Sequence, residues 1–276
     1  MMRIDAITTF PGMFDSVMGS SIMKRAQEKG ILEFEAHDLR NWTYDVHRTT
    51  DDKPYGGGHG LVMKCEPVFE ALEEVLGIPS GILAGQSAAE AIESAYSHIR
   101  DYEPDSAQSA YSEAQDPDAS GDATHGFGEA ANTRVIMASP HGRPFDDDKA
   151  AELSALDRLV FVCGHYEGMD ERIYSAADEI ISIGDYVLTS GELSSMVIID
   201  AIVRKIPGVI GAERGAEDES FHDGLLEHPQ YTRPSVFRGM QVPDVLLSGN
   251  HARIDEWRRD ESLKRTRDFR PDLLER

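Results

Sequence analysis

The sequence predicts an α/β protein built on a parallel sheet covered on both faces, followed by a small, mostly helical domain. Three observations carry that reading. The runs VIMA (135–138), LVFVCG (159–164) and EIISI (179–183) are short and predominantly apolar, and a helical segment separates the first two. Strands buried on both faces read in this way, rather than as alternating half-buried ones. Hydrophobic residues make up 40% of the 276 positions, enough for a sizeable core. A polar, acidic, glycine-containing stretch, GAERGAEDES (211–220), then reads as a linker.

Taken in order, RIDAIT reads as a strand ending at Phe10-Pro11-Gly12. Residues 13–29 carry Met13, Phe14, Val17, Ile22 and Met23 at near-helical spacing, with Gly30 as C-cap, predicting one helix. ILEFEAHDL alternates as a second strand, and the polar stretch 41–60 follows. VMKCEPVFEALEEVLG begins as a strand and turns helical after Pro67. Residues 79–133 are dominated by Ala, Ser, Asp, Glu and Gln, which predicts a mobile surface insertion with a short helix near Ala88–Arg100. DDDKAAELSALD is helical, with acids in the first turn to complement the dipole. Glu192 to Lys205 predicts a helix with Leu193, Met196, Val197, Ala201 and Ile202 on its inner face, ended near Pro207-Gly208. Residues 250–268 form an amphipathic helix with Ile254, Trp257 and Leu263 inward. The resulting division is a first domain at 1–210, a linker at 211–225 and a helical domain at 226–276.

Charge is unevenly spread. The chain has 27 bases, 50 acids and a net charge of −23. Residues 86–130 hold ten acids and one base, whereas residues 233–276 hold ten bases and eight acids. The C-terminal end is therefore locally basic and can dock an anionic polymer, although a solvated helix face reads the same on charge alone. Two cysteines, Cys65 and Cys163, sit in apolar contexts and suit reduced thiols better than a disulfide. With neither an apolar run of membrane-spanning length nor a signal-peptide pattern, the expectation is a soluble cytoplasmic protein.

Each apolar run ends in a glycine-containing loop: Ser139-Pro140-His141-Gly142, Gly164-His165-Tyr166-Glu167-Gly168 and Gly184-Asp185-Tyr186-Val187-Leu188-Thr189-Ser190-Gly191. Loops at the carboxyl ends of neighbouring strands are the default ligand site of such a sheet, and glycine lets backbone groups reach the ligand. Familiar signatures are missing. Gly56-Gly57-Gly58-His59-Gly60 is not followed by Gly-Lys-Ser/Thr, no Gly-x-Gly-x-x-Gly follows a strand, and there is neither metal-ligand histidine spacing nor a Gly-x-Ser-x-Gly elbow. Taken alone, Arg204 reads as a snorkelling surface side chain, and Asp218 and Glu219 as a solvated acid pair. Residue chemistry by itself thus reaches a glycine-lined cleft, not a reaction.

The segments ITTFPGMF, HRTTDDKPYGGGHGLVMK, VIMASPHGR, LVFVCGHYEGMDERI, ISIGDYVLTSGEL, AIVRKIPGVIG, GLLEHPQYTRP and VPDVLLSGNHARIDEWR occur in that order. Together they resemble the bacterial tRNA (guanine-37-N1)-methyltransferases of the SPOUT superfamily, over nearly everything but 79–133. The resemblance implies a parallel sheet tied in a deep trefoil knot, against the usual rule of unknotted connections. It implies S-adenosylmethionine held by Ser139, Pro140, Gly142, Gly164, Tyr166, Glu167, Gly168, Ile183, Gly184, Asp185, Tyr186, Val187, Leu188 and Gly191. It further implies dependence on Mg²⁺, a homodimer with active sites at the subunit interface, and a C-terminal domain that binds tRNA with guanine at position 37.

Guanine N1 carries a proton at neutral pH, so its methylation needs a general base and a cation near O6. The resemblance puts the base on a linker carboxylate, Glu219 with Asp218 just before it, and the cation on Arg204. The chain departs from the family pattern at His165 (usually Arg), Ser190 (Gly), Ser194 and His59 (both Pro), and at Glu219 (Asp). The competing reading is a catalytically weakened, knotted RNA-binding relative. Replacing residues 86–130 by a short Gly/Ser linker removes little apolar surface. Thermal stability and methyl transfer should both stay close to those of the full chain, and loss of folding would show that the segment is part of the core.

Overall fold

A computed structural model describes residues 1–78, 132–211, 219–221 and 223–275. The insertion with its expected helix, and Asp218, lie outside the described residues. The chain forms two compact units that divide between Ile210 and Gly211.

In the first unit, strand β1 (Met2–Thr8) leads through a 3₁₀ turn to helices α1 (Asp15–Met18) and α2 (Ser21–Glu28), then to β2 (Leu32–Asp38). The single helix expected over 13–29 is in fact two. Gly19 lies so close to the Asp15 carbonyl that a Cβ would stand 2.6 Å from it, and Ser20 and Ser21 leave helical geometry before α2 restarts. A small ribbon, β3 (Asp51–Asp52) and β4 (Val62–Met63), precedes α3 (Cys65–Leu76). That helix starts before Pro67 rather than after it, because proline in the first turn gives up no intrahelical hydrogen bond. Gly77, at φ 72°, closes it in the left-handed conformation.

The remainder of the unit is β5 (Thr133–Pro144), α4 (Asp147–Ser154), β6 (Arg158–Val162), a 3₁₀ segment Glu171–Ala176, β7 (Glu179–Ser182) and α5 (Gly191–Lys205). The five long strands form one sheet in the order β2-β1-β6-β5-β7, parallel throughout. Successive side chains pack on opposite faces. Leu159, Phe161 and Cys163 join α2, α4 and α5 in one core cluster, while Val160 and Val162 join α3 and the 3₁₀ segment in the other. This double burial is why the strands read as unbroken apolar runs. Strand β5 outlasts its apolar run: Ala138 and Arg143 both register with Ile181, so pairing to β7 resumes after the loop 139–142. On α5 the inner face differs from the expected one. Met196, Ile198, Ile199, Ile202 and Val203 are buried, whereas Leu193 and Val197 stand 42% and 53% exposed.

Asp5 is the charged centre of the α3-covered face. It is fully buried, yet it accepts hydrogen bonds from Arg3 and Arg158 and contacts His37 Nε2 at 2.8 Å. The second arm of Arg158 donates to the Val75 carbonyl near the end of α3, so one guanidinium ties β1, β6 and α3. Burial alone would push the Asp5 carboxyl up. The bonds from His37, Arg3 and Arg158 reverse this and hold it well below the usual carboxylate range. Glu35 completes a cluster of three metal-type ligands with Asp5 and His37, but the two guanidiniums already occupy Asp5.

The second unit contains a hairpin, β8 (Val236–Phe237) and β9 (Met240–Gln241), then α6 (Asp244–Leu247) and α7 (His251–Phe269). Ile254 of α7 is buried, with Trp257 and Leu263 half-buried. Ser262 and Thr266 bind the backbone of Leu226, pinning the preceding segment to α7. Among the described residues no helix is long and apolar enough to cross a membrane.

Asp5→Asn removes a buried ion pair's central charge while Arg3 and Arg158 keep some water. It should cost on the order of 2 kcal/mol at pH 7. Because the folded carboxyl sits below its unfolded value, its contribution is complete above pH of about 4 and fades as pH falls further. Urea unfolding of both proteins at pH 7 and at pH 3 checks this: the gap between them should narrow in acid.

Candidate cofactor-binding site

The carboxyl ends of β5, β6 and β7 converge, and their three loops line a single cleft. Backbone contacts set its shape. The N–H of Gly191, first residue of α5, donates to the Gly164 carbonyl at 2.7 Å, and a Cβ on Gly191 would stand 2.6 Å from the Gly164 nitrogen. A Cβ on Gly142 would stand 2.5 Å from the Ile181 nitrogen. Neither glycine has a positive φ, so what each needs is space rather than conformational freedom.

A buried side-chain bond ties the start of α5 to a further strand. Glu192, in the first turn of α5, accepts from Thr8 Oγ1 at 2.5 Å, joining the end of β1 to the start of α5. In the second loop Tyr166 adopts φ 62°, an uncommon conformation for a large side chain and one that costs about 1 kcal/mol or more. Its hydroxyl is held 2.9 Å from Thr50 Oγ1, and burial pushes the phenol pKa up. The Glu167 side chain lies over Gly60 of the glycine-rich run, where any Cβ would collide with it. In the third loop the Tyr186 ring covers Gly184, and its hydroxyl donates to the Ile183 carbonyl. In the first, Ser139 meets His141 Nδ1 at 2.8 Å, and burial lowers the His141 pKa.

Of the residues expected at the site, Ser139, Pro140, Gly164, Tyr166, Glu167, Gly168, Ile183, Gly184, Tyr186, Val187, Leu188 and Gly191 line the cleft. Gly142 and Asp185 are not among its lining residues; Gly142 acts beneath it, by the close approach to β7. His165, Thr189, Ser190, Ser194 and Tyr174 also line it, although only the loops, not these individual side chains, pointed to the site. Tyr174 comes from the 3₁₀ segment, and nothing in its local sequence signals this. Arg204 lies in the last turn of α5, in the first unit, whereas Glu219 belongs to the second unit.

The lining defines the ligand's chemistry. Among its described residues there is no lysine or arginine, and the one carboxylate is Glu167. A polyphosphate would find no cationic side chain, whereas a heteroaromatic ligand, neutral or positively charged, suits backbone walls flanked by Tyr166, Tyr186, Val187 and Leu188. His165 Nδ1 and Ser190 Oγ are buried and have no hydrogen-bond partner among the described residues. Buried polar atoms of this kind call for a partner, which a bound ligand can supply.

A parallel α/β sheet with a glycine-walled cleft at its carboxyl edge, free of lysine and arginine among its described lining residues, has the form of a small-molecule-binding α/β protein. Comparison makes this specific. Residues 2–95 and 113–276 match the family described as tRNA (Guanine-1)-methyltransferase TrmD, and the chain belongs to that family. Two proteins named tRNA (guanine-N(1)-)-methyltransferase are each 47% identical to it. One, from Heliobacterium modesticaldum, aligns over 99% of this chain and 84% of its own length. The other, from Staphylococcus aureus strain JH9, aligns over 100% and 91% respectively.

Gly142→Ala and Gly191→Ala should each force apart backbones that now touch. Isothermal titration with S-adenosylmethionine should show affinity reduced at least about ten-fold for either, with a lowered melting temperature. Unchanged binding in both would mean that the cleft tolerates separation of its walls.

Proposed function

We propose that this chain transfers the methyl group of S-adenosylmethionine to N1 of guanine 37 in tRNA. Family membership makes it a tRNA guanine-N1 methyltransferase with that methyl donor. The observation that supports the cofactor site is the cleft itself, which among the described residues pairs glycine walls and no lysine or arginine with two buried polar atoms that lack a hydrogen-bond partner. Bound there, S-adenosylmethionine supplies an electrophilic methyl on a sulfonium, a cation that a lining free of lysine and arginine does not repel.

The rest falls to the chain's own residues. A linker carboxylate, Glu219 or Asp218, takes the N1 proton, and Arg204 stabilises the negative charge that grows on O6. Glu167 is the carboxylate that would hold Mg²⁺ at the cleft, with water completing its oxygen shell, and the ion would offset negative charge there. The one three-ligand cluster among the described residues, Asp5, Glu35 and His37, does not fit Mg²⁺, because two arginines occupy Asp5. The chain is proposed to be knotted where β7 pairs with β5 on both sides of loop 139–142 and α5 starts against the end of β6.

We further infer a cytoplasmic homodimer in which the partner's second unit completes each active site. Support comes from the exposed apolar side chains Phe10, Met13, Leu193 and Val197, which flank in sequence the Thr8–Glu192 bond. Single-turnover methylation across pH tests the mechanism. Glu219→Gln should lower the rate by roughly 10² or more with cofactor and tRNA binding retained, and Asp218→Asn should be mild. The reverse pattern would make Asp218 the base, and two active mutants would overturn a linker carboxylate as the base.

A further inference from the structure

The hairpin of the second unit is too small to be a core element. Its strands have two residues each, joined by Arg238-Gly239 with both φ angles positive (52° and 81°), the backbone of a type I′ turn. Phe237 and Met240 are cross-strand partners on one face, and they remain 54% and 65% exposed. The Arg238 guanidinium lies over the Phe237 ring, 5.3 Å from its centroid.

The surrounding sequence is unusual for this chain. Residues 228–243 contain no aspartate or glutamate, although the protein has 50 acids in 276 residues. At the average spacing, sixteen residues would carry about three. The stretch holds Arg233 and Arg238, together with Tyr231, which is half exposed and rests against Trp257. The nearest acid in sequence, Asp244, is engaged by the Gln241 side chain. An exposed arginine-and-aromatic hairpin in an acid-free stretch of a protein of charge −23 is complementary to nucleic acid. Unpaired bases stack on Phe or on guanidinium planes, and arginine meets the adjacent phosphate.

We propose that the Phe237–Met240 face, with Arg238 beside it, is a stacking site for an unpaired base of the substrate tRNA. The proposal rests on the reading of the second unit as the tRNA-binding part, and it adds a contact that is not purely electrostatic.

The test uses the full-length protein, a substrate tRNA transcript and S-adenosylmethionine. Phe237→Ala should weaken tRNA binding about ten-fold without changing the slope of log affinity against log salt. Phe237→Trp should restore affinity, with S-adenosylmethionine affinity and sedimentation coefficient unchanged in both. Unaltered tRNA affinity in Phe237→Ala, or no rescue by tryptophan, would overturn the proposal. A changed sedimentation coefficient would also overturn it, by showing that the face meets a second copy of the chain. Neutralising Arg258, Arg259 and Arg265 together tests the underlying reading separately: affinity should fall and the salt slope should flatten. If that triple variant binds normally at every salt concentration, the second unit is not the electrostatic tRNA site, whatever Phe237 does.

Discussion

One backbone contact sets the geometry on which the cleft depends: the first residue of α5 sits directly on the end of β6. Gly191 gives its N–H to the Gly164 carbonyl, with no space for a side chain between them. Gly142 makes the corresponding approach to β7. Because both contacts are main chain to main chain, the three loops cannot shift independently, and Thr8–Glu192 fastens the same crossing to β1. The cleft is therefore a product of sheet packing rather than of mobile loops, which is the preorganisation that binding and methyl transfer require.

The sheet was legible because double burial leaves a local trace. Residues 135–138 and 159–163 are continuous apolar runs, 179–183 carries three isoleucines, and in the structure their apolar side chains alternate between two cores. The glycine loops were legible for a related reason, since each punctuates such a run. What the sequence did not reveal was set by distant partners. Strand β5 continues past Ala138 only because β7 accepts it again after the loop. The helix over 13–29 breaks where Gly19 meets the Asp15 carbonyl, a contact that apolar spacing does not encode. Leu193 and Val197 share hydrophobicity with their buried neighbours, and periodicity alone could not separate the sheet-facing side of α5 from its open side. Tyr174 reaches the cleft through the turn after β6, a placement decided by the third dimension alone.

An acidic protein that acts on a polyanion must keep its negative surface away from its contacts. Here the separation is steep along the chain: residues 86–130 carry one base among ten acids, whereas 228–243 carry no acid at all. Beyond a Debye length of roughly 8 Å at physiological salt, the overall negative charge is largely screened, so local composition governs docking once the RNA is near. At contact range, an acidic face repels the RNA and disfavours encounters that present it.

A cleft walled by main chain has a further consequence, for molecules designed to compete with its natural ligand. An inhibitor that bonds to backbone groups near Gly164 and Gly191 rests on atoms that no substitution can remove, and replacing either glycine disturbs the crossing of β6 and α5. Escape from such a compound has to come through the few side chains that also line the cleft, among them His165, Tyr186, Val187 and Leu188. Compounds that ignore those positions and engage the backbone would leave resistance little room to arise.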